Sequence, residues 1–349
     1  MAISNSVSVH QETTGISRRD FFRVSGVVAG GAMLLGLPRF SGRWLNQAEA
    51  AQAGSPMGGL RVILVLDNVA TNITSVSGGN QFADVALEPV GPDLIQRKRP
   101  GTLKVEDLVV ELALDAPSPA LNGWITDTLT KGPTFKNGSI VYADYDGNIG
   151  KQLDFSNAAI TEIDLPAGDA SSKDLVTLKF RITPQSTRLG GGTGKISFPL
   201  VKSPSSRLIQ ANFRLSVQGL EAATPGITRV EPIVVRRLIQ AQSVGATREP
   251  MRSPSVLDCS LLSILIVEQK AGLFYSWFDD FVLKGNNGAG KERQGLLEWM
   301  SPNTQKPAAS IQLSNLGIVR YAPEPVQAGV DSIQRVRVDM YCESATMKL

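Results

Sequence analysis

The chain has 349 residues, with 35 Lys and Arg against 32 Asp and Glu, two Cys and a single His. That His is His10, so neither Ser-His-Asp nor Cys-His catalysis nor an imidazole metal site can be assembled from the residues after it, and Cys259 with Cys342 are too few for a cysteine-only zinc site. A formal net charge of +3 on a chain this long gives no electrostatic case for binding nucleic acid or an anionic membrane surface.

Ser17-Arg18-Arg19-Asp20-Phe21-Phe22 resembles the twin-arginine export motif. An uncharged stretch over residues 24–37 follows it, and Ala48-Glu49-Ala50 and Ala51-Gln52-Ala53 are both small-x-small cleavage candidates. A charged start, a short apolar core and small residues at the cut are the parts of an export signal, in order. The apolar stretch falls short of the ~20 residues that a membrane span needs, and it holds no Cys to carry a lipid. Residues 1–50 are therefore expected to be a twin-arginine signal peptide, with Arg18, Arg19 and Phe21 as the residues that the twin-arginine translocase reads. The remainder is expected in the periplasm, at the cell surface or outside the cell, without a stable membrane anchor. Its removal leaves 299 residues (349 − 50) at a net charge of about +1, because the leader holds five Arg, no Lys and three acidic residues.

Residues 51–59 are small and Gly-rich. Residues 60–66 form an apolar run with β-branched members and predict a buried strand. Residues 67–99 mix turn-formers with short apolar runs and receive no assignment. Residues 104–114 read as one strand. Leu121, Trp124, Ile125 and Leu129 fall on one side of a 3.6-residue period, and the helix they predict stops at Lys131-Gly132. Strands are expected over 139–144 and 152–163, joined by the hairpin dipeptide Asp146-Gly147. Val176, Leu178, Phe180 and Ile182 alternate with Thr177, Lys179 and Arg181, the pattern of a sheet that is buried on one side and wet on the other.

Much of this is written twice. Phe274, Trp277, Phe278, Asp280, Lys284 and Gly285 repeat Leu121, Trp124, Ile125, Asp127, Lys131 and Gly132 at a shift of 153 (277 − 124). Ile311-x-Leu313-Ser314-Asn315-x-Gly317-Ile318 repeats Leu153-x-Phe155-Ser156-Asn157-x-Ala159-Ile160 at a shift of 158 (315 − 157). Ile227-Thr228-x-Val230 repeats Ile73-Thr74-x-Val76 at a shift of 154 (227 − 73), which makes residues 225–254 the counterpart of 67–99. The last strand of the second copy places Val336, Val338, Met340 and Cys342 on one face, with Arg337 and Asp339 opposite. The expected fold is mainly β (α+β), as two tandem domains over 54–189 and 208–349 joined by a Gly/Ser/Pro linker or arm over 190–207, each with one short amphipathic helix.

Several motifs invite chemistry and fail on context. Gly285-Asn286-Asn287-Gly288-Ala289-Gly290-Lys291 matches most of a phosphate-binding loop, but Glu292 stands where a Mg²⁺-binding hydroxyl belongs and the stretch follows a helix. Asp144-x-Asp146-Gly147-Asn148 resembles part of a calcium loop but lacks the distal Glu, so a hairpin turn is expected. Asp279 and Asp280 are neighbours on a helix and point apart, which suits a solvated face better than an acid/base pair. Cys259 is expected to begin a strand of the second copy and Cys342 to end its last. If those strands are antiparallel neighbours, a disulfide could form in an exported protein. No flavin, haem, iron–sulfur or molybdenum ligand pattern occurs, so no cofactor, metal or catalytic residue is expected.

An ordered series then resembles phage tail-tube proteins of the contractile-tail type and the tube proteins of tail-like injection systems. The series runs Gly101-Thr102-Leu103-Lys104-Val105-Glu106-Asp107-Leu108, the Trp124 helix, Lys136-Asn137-Gly138-Ser139-Ile140, Phe155-Ser156-Asn157-Ala158, Thr161-Glu162 and Asp169-Ala170-Ser171-Ser172-Lys173. It covers residues 100–187 well and the second copy more faintly. The resemblance implies a β-barrel or sandwich with one helix, no catalytic residues, and stacking of rings into a hollow tube. Tail-tube subunits usually have one domain and no export leader; here two domains are fused behind one. The function implied is a structural subunit that self-assembles into rings or a tube after export, with three chains closing a pseudo-six-fold ring. The alternative is an exported monomeric binding module or a cofactor-carrying enzyme.

Overall fold

Asp67 and Asn68 both take positive φ (50° and 62°), and that left-handed pair turns β1 (Arg61–Leu66) back onto β2 (Val69–Ile73) as a two-residue hairpin. The computed structural model describes residues 60–90, 92–114, 117–199, 207–242, 251–303, 306–325 and 333–349; the expected signal peptide with Arg18, Arg19 and Phe21 lies outside them. The chain continues through β3 (Ser75–Ser77) and a ribbon of β4 (Gln81–Leu87) and β5 (Lys98–Val105). It then passes through β6 (Leu108–Ala113), α1 (Pro119–Thr130), β7 (Phe135–Ala143), β8 (Ile149–Leu165), β9 (Gly168–Asp169), β10 (Thr177–Thr183) and β11 (Ser186–Gly191). The second half follows with β12 (Phe213–Val217), β13 (Ile227–Val230), β14 (Ile233–Gln242), β15 (Met251–Cys259), β16 (Leu262–Val267), α2 (Gly272–Phe278), β17 (Arg293–Met300), β18 (Pro307–Pro323) and β19 (Arg335–Lys348). The protein is mainly β, and its only α-helices among the described residues are α1 and α2.

The two main sheets have the same order. The first runs β1-β7-β8-β10-β6-β3, and the second runs β12-β17-β18-β19-β16-β13. β19 corresponds to β10 and β11 together, since its later residues pair with the start of β18 just as β11 pairs with the start of β8. The hairpins correspond as well. Gln81 faces Val105 as Val235 faces Cys259, and each ladder slips one step further on, after Ala83 in one and after Arg237 in the other.

Both long strands carry the same irregularity. Asn157 (φ 46°) and Asn315 (φ 55°) sit in left-handed bulges, where Asn pays a smaller steric penalty than most residues. Just before the bulge the buried side chains are odd-numbered (Leu153 and Phe155; Ile311 and Leu313), and just after it Ala158 and Ile160, or Leu316 and Ile318, are buried. A second register shift follows, between Ile160 and Glu162 and between Ile318 and Arg320, so Ile163 and Leu165 are odd-numbered again. The bulge thus keeps apolar side chains inward while the strand bends. Asn137 Oδ1 accepts from the Asn157 amide at 2.8 Å, and Asn157 Nδ2 donates to Gln185 at 2.6 Å. In the second half Asn315 Nδ2 donates to Glu343 at 2.6 Å.

The core follows the expected pattern. Val176, Leu178, Phe180 and Ile182 are buried on β10 or just before it, as are Val336, Val338, Met340 and Cys342 on β19. Trp124 and Phe274 are fully buried beneath the sheets. Both helical segments end at Lys-Gly with the glycine left-handed, Gly132 at φ 114° and Gly285 at φ 72°. Two expectations change. Residues 104–114 are two strands, because the Glu106 amide turns to the Asn80 carbonyl (2.9 Å) and the chain leaves the ribbon for the main sheet there. Asp339 is buried, taking hydrogen bonds from Ser263 (2.6 Å) and Arg337 (3.0 Å). The described part of residues 190–207 is held against the first half, with the Ile196 amide on the Gly147 carbonyl (2.9 Å) and Asn72 Nδ2 on the Pro199 carbonyl (3.0 Å).

Candidate assembly surface

The halves are joined by exchanged strands. The end of β8 carries β10 on one edge and β14 on the other, in the register Ile233–Leu165, Val234–Asp164, Val235–Ile163 and Arg236–Glu162. In return, β9 pairs with β13, Arg229 facing Asp169 and Val230 facing Gly168. Ile163, Leu165, Ile233 and Val235 are all buried, so the seam is core as well as ladder.

Charge is matched along it. Arg236 Nε lies 2.7 Å from Glu162 Oε2, Arg181 approaches Glu162 from its own sheet at 3.5 Å, and Arg229 lies 3.8 Å from Asp169. Burial works against ionising Glu162, yet the hydrogen bond and charge of Arg236, with help from Arg181, hold its carboxyl below the usual value. Asp164 moves the other way, raised by burial and by the charge of Glu162 despite Lys179 at 3.6 Å. Arg237 Nη2 donates to the Thr128 carbonyl (2.5 Å) in the last turn of α1, where the helix dipole favours a cation. α1 also packs against β19 of the second half.

Of the residues singled out in sequence, Cys259 ends β15 rather than beginning a strand, and Cys342 lies within β19, which runs on to Lys348. β15 and β19 pack together without pairing in one ladder. Both cysteines are unbridged thiols, and a hydrogen bond with Cys342, together with burial, pushes the Cys259 thiol well up. Asp144 closes the β7–β8 hairpin, accepting from the amides of Asp146 (3.0 Å) and Asn148 (2.8 Å) and from Asn148 Nδ2 (2.8 Å). The loop after Lys284 is tied back to its own helix, with Asn286 donating to Asp280 at 2.7 Å and Lys291 3.7 Å from it. No cluster of three or more metal-ligating side chains occurs among the described residues, and no described helix is long and apolar enough to cross a membrane. The seam was not legible in sequence. Its only trace was the repeat of Ile73-Thr74 as Ile227-Thr228, which marks the approach to both hairpins.

A chain of the PVC sheath-tube complex, an extracellular contractile injection system in its extended state, matches at 19% identity and a TM-score of 0.36, over 42% of this chain and 97% of its own. The tube-terminating cap of the anti-feeding prophage matches at 19% and 0.36, over 42% and 99%. Hcp1 from Flavobacterium johnsoniae matches at 21% and 0.27, over 39% and 99%. At such scores the likeness carries no conclusion about what this chain does. No family model matches it, and no curated protein does.

Proposed function

We propose that this chain is a structural, tail-tube-like subunit built from two tandem copies of one module, over 54–189 and 208–349. In this reading it leaves the cytoplasm by the twin-arginine route and assembles with copies of itself into rings or a tube. The observation that carries the reading is the seam: two modules of one strand order bind each other by adding a strand of one to the sheet edge of the other. A module with this affinity for its own kind polymerises readily, because an open strand edge is a template for the next copy. If six modules close a ring, as the sequence resemblance implies, three chains fill it.

Electron microscopy of the secreted fraction and of the purified chain tests the assembly. Rings or tubes are expected, and monodisperse monomers at high concentration would defeat the reading. Cell fractionation tests the export; a leader that remains uncleaved in the cytoplasm would refute it. Peptide mapping tests for a disulfide between Cys259 and Cys342; finding both alkylated without reductant would dispose of that bond.

A further inference from the structure

The seam within the chain uses two different surfaces, and each has an unused counterpart. The second half contributes the hairpin β14–β15 and β19; the first half receives them on α1 and the end of β8. The counterparts of the contributed elements are the ribbon β4–β5 and β11, on the first half. Among the described residues β4 pairs with β5 alone, and Phe82, Val85, Leu87 and, on β11, Leu189 are exposed. The counterparts of the receiving elements are the α2 segment and the end of β18, on the second half. There Val282 is 39% exposed, whereas its counterpart Leu129, in the last turn of α1, is 6% exposed. Leu273, Tyr275, Leu283 and Val319 are exposed around it. Ile163 and Leu165 are buried beneath β14, while Pro323, which corresponds to Leu165, is exposed and Tyr321, which corresponds to Ile163, is only half-buried.

We propose that a second copy of this chain occupies these surfaces head to tail: the start of β4 in one copy adds antiparallel to residues 320–322 of β18 in the next, and its β11 covers the α2 segment. The proposal rests on the self-assembly read above and names its contact. Carrying the internal register across, by 154 on the hairpin (235 − 81) and 158 on the long strand (321 − 163), sets Gln81 against Tyr321 and Phe82 against Arg320. The internal ion pair Arg236–Glu162 is thereby replaced by an aromatic ring facing a guanidinium, a pairing that remains attractive. Each chain has one surface of each kind, so the contact is heterologous and propagates until a ring closes. Strand addition to an exposed edge supplies the backbone bonds, and the apolar patches supply the burial.

The test uses two variants of the full chain that are each dead on one surface, changed only at exposed residues other than the half-buried ones that pack locally. F82K/L189K loses the contributed surface, and V319K/L283K loses the receiving one. Thermal unfolding like the wild type's establishes that both are folded. By light scattering, the wild type is expected to assemble beyond the dimer, and each variant alone to run at monomer mass. Their equimolar mixture is expected to give a dimer and stop, because exactly one good contact remains. If both variants assemble like the wild type, or the mixture stays monomeric while the wild type assembles, this contact is wrong and self-assembly stands. A wild type that remains monomeric overturns both. Should either variant misfold, Q81C and Y321C are mixed and mildly oxidised with diamide. A cross-linked pair joined through residues 81 and 321 is expected, and its absence while the wild type assembles overturns the contact.

Discussion

Trp124 and Trp277 hold the same place in two helical segments of equal span, and their surroundings differ. Trp124 is fully buried, and its indole donates to the Thr134 carbonyl at 2.9 Å. Its helix starts at Ser118, whose hydroxyl accepts from the Leu121 amide (3.3 Å) and from Thr71 (2.6 Å), and it ends beneath the second half. Trp277 lies under the Arg293 guanidinium, 4.9 Å from the ring centroid, and its indole N–H finds no protein acceptor among the described residues. Its helix has no side-chain cap, keeps α geometry for seven residues and loosens into a π turn over Asp279–Leu283. The same residue pattern therefore gives a tight helix where a neighbour covers it and a looser one where none does. Propensity alone does not hold a helix this short; packing does.

Substitutions can break or sharpen this contrast. The largest effect is expected at the tryptophans. Trp124→Ala should cost about 4 kcal/mol in urea unfolding, for the cavity and the lost hydrogen bond, and Trp277→Ala measurably less. Equal losses would show that covering the helix adds nothing. Next come the bulges. Asn157→Ala and Asn315→Ala should each cost about 1–2 kcal/mol for an alanine forced left-handed, while Asn157→Gly recovers most of it. If Gly is as damaging as Ala, side-chain bonding rather than backbone strain is what Asn supplies. Ser118→Ala should lower the thermal midpoint by the equivalent of about 1 kcal/mol, whereas Ala271→Ser should gain nothing, because Ala271 is itself helical (φ −79°, ψ −9°) and cannot cap.

The smallest effect belongs to the seam. Glu162 has its folded pKa below its ordinary 4.5, so the stability it contributes is complete above that value and is lost as the pH falls through the lower, folded one. Glu162→Gln should therefore cost at most about 1 kcal/mol near neutrality, as for other partly exposed ion pairs. The penalty should fade in urea midpoints as the pH falls through the folded pKa of Glu162. A penalty that stays the same size down the whole acid limb would mean that hydrogen bonding, rather than charge, is what Gln fails to replace.

Periodic segments were legible in sequence, and junctions were not. The face Val176-Leu178-Phe180-Ile182 and the helix around Trp124 are declared by spacing alone. Residues 67–99 stayed unread although Asp67-Asn68 is itself a hairpin turn, because Asp-Asn signals left-handed backbone less strongly than Asn-Gly does. The break at Glu106-Asp107 hid inside an apolar-polar alternation that suits two strands as well as one. Asp339 looked wet because period-two alternation cannot register that Ser263 and Arg337 enclose the outer face. The seam depends on tertiary pairing of segments that no local pattern connects.

The Asn bulges have a last consequence. Each long strand changes phase at residue 157 or 315 and changes back at a second shift a few residues on. Deleting that one residue would not shorten anything visible. It would put the apolar residues on one side of residue 157 or 315 out of step with the core, so these two positions should reject length changes.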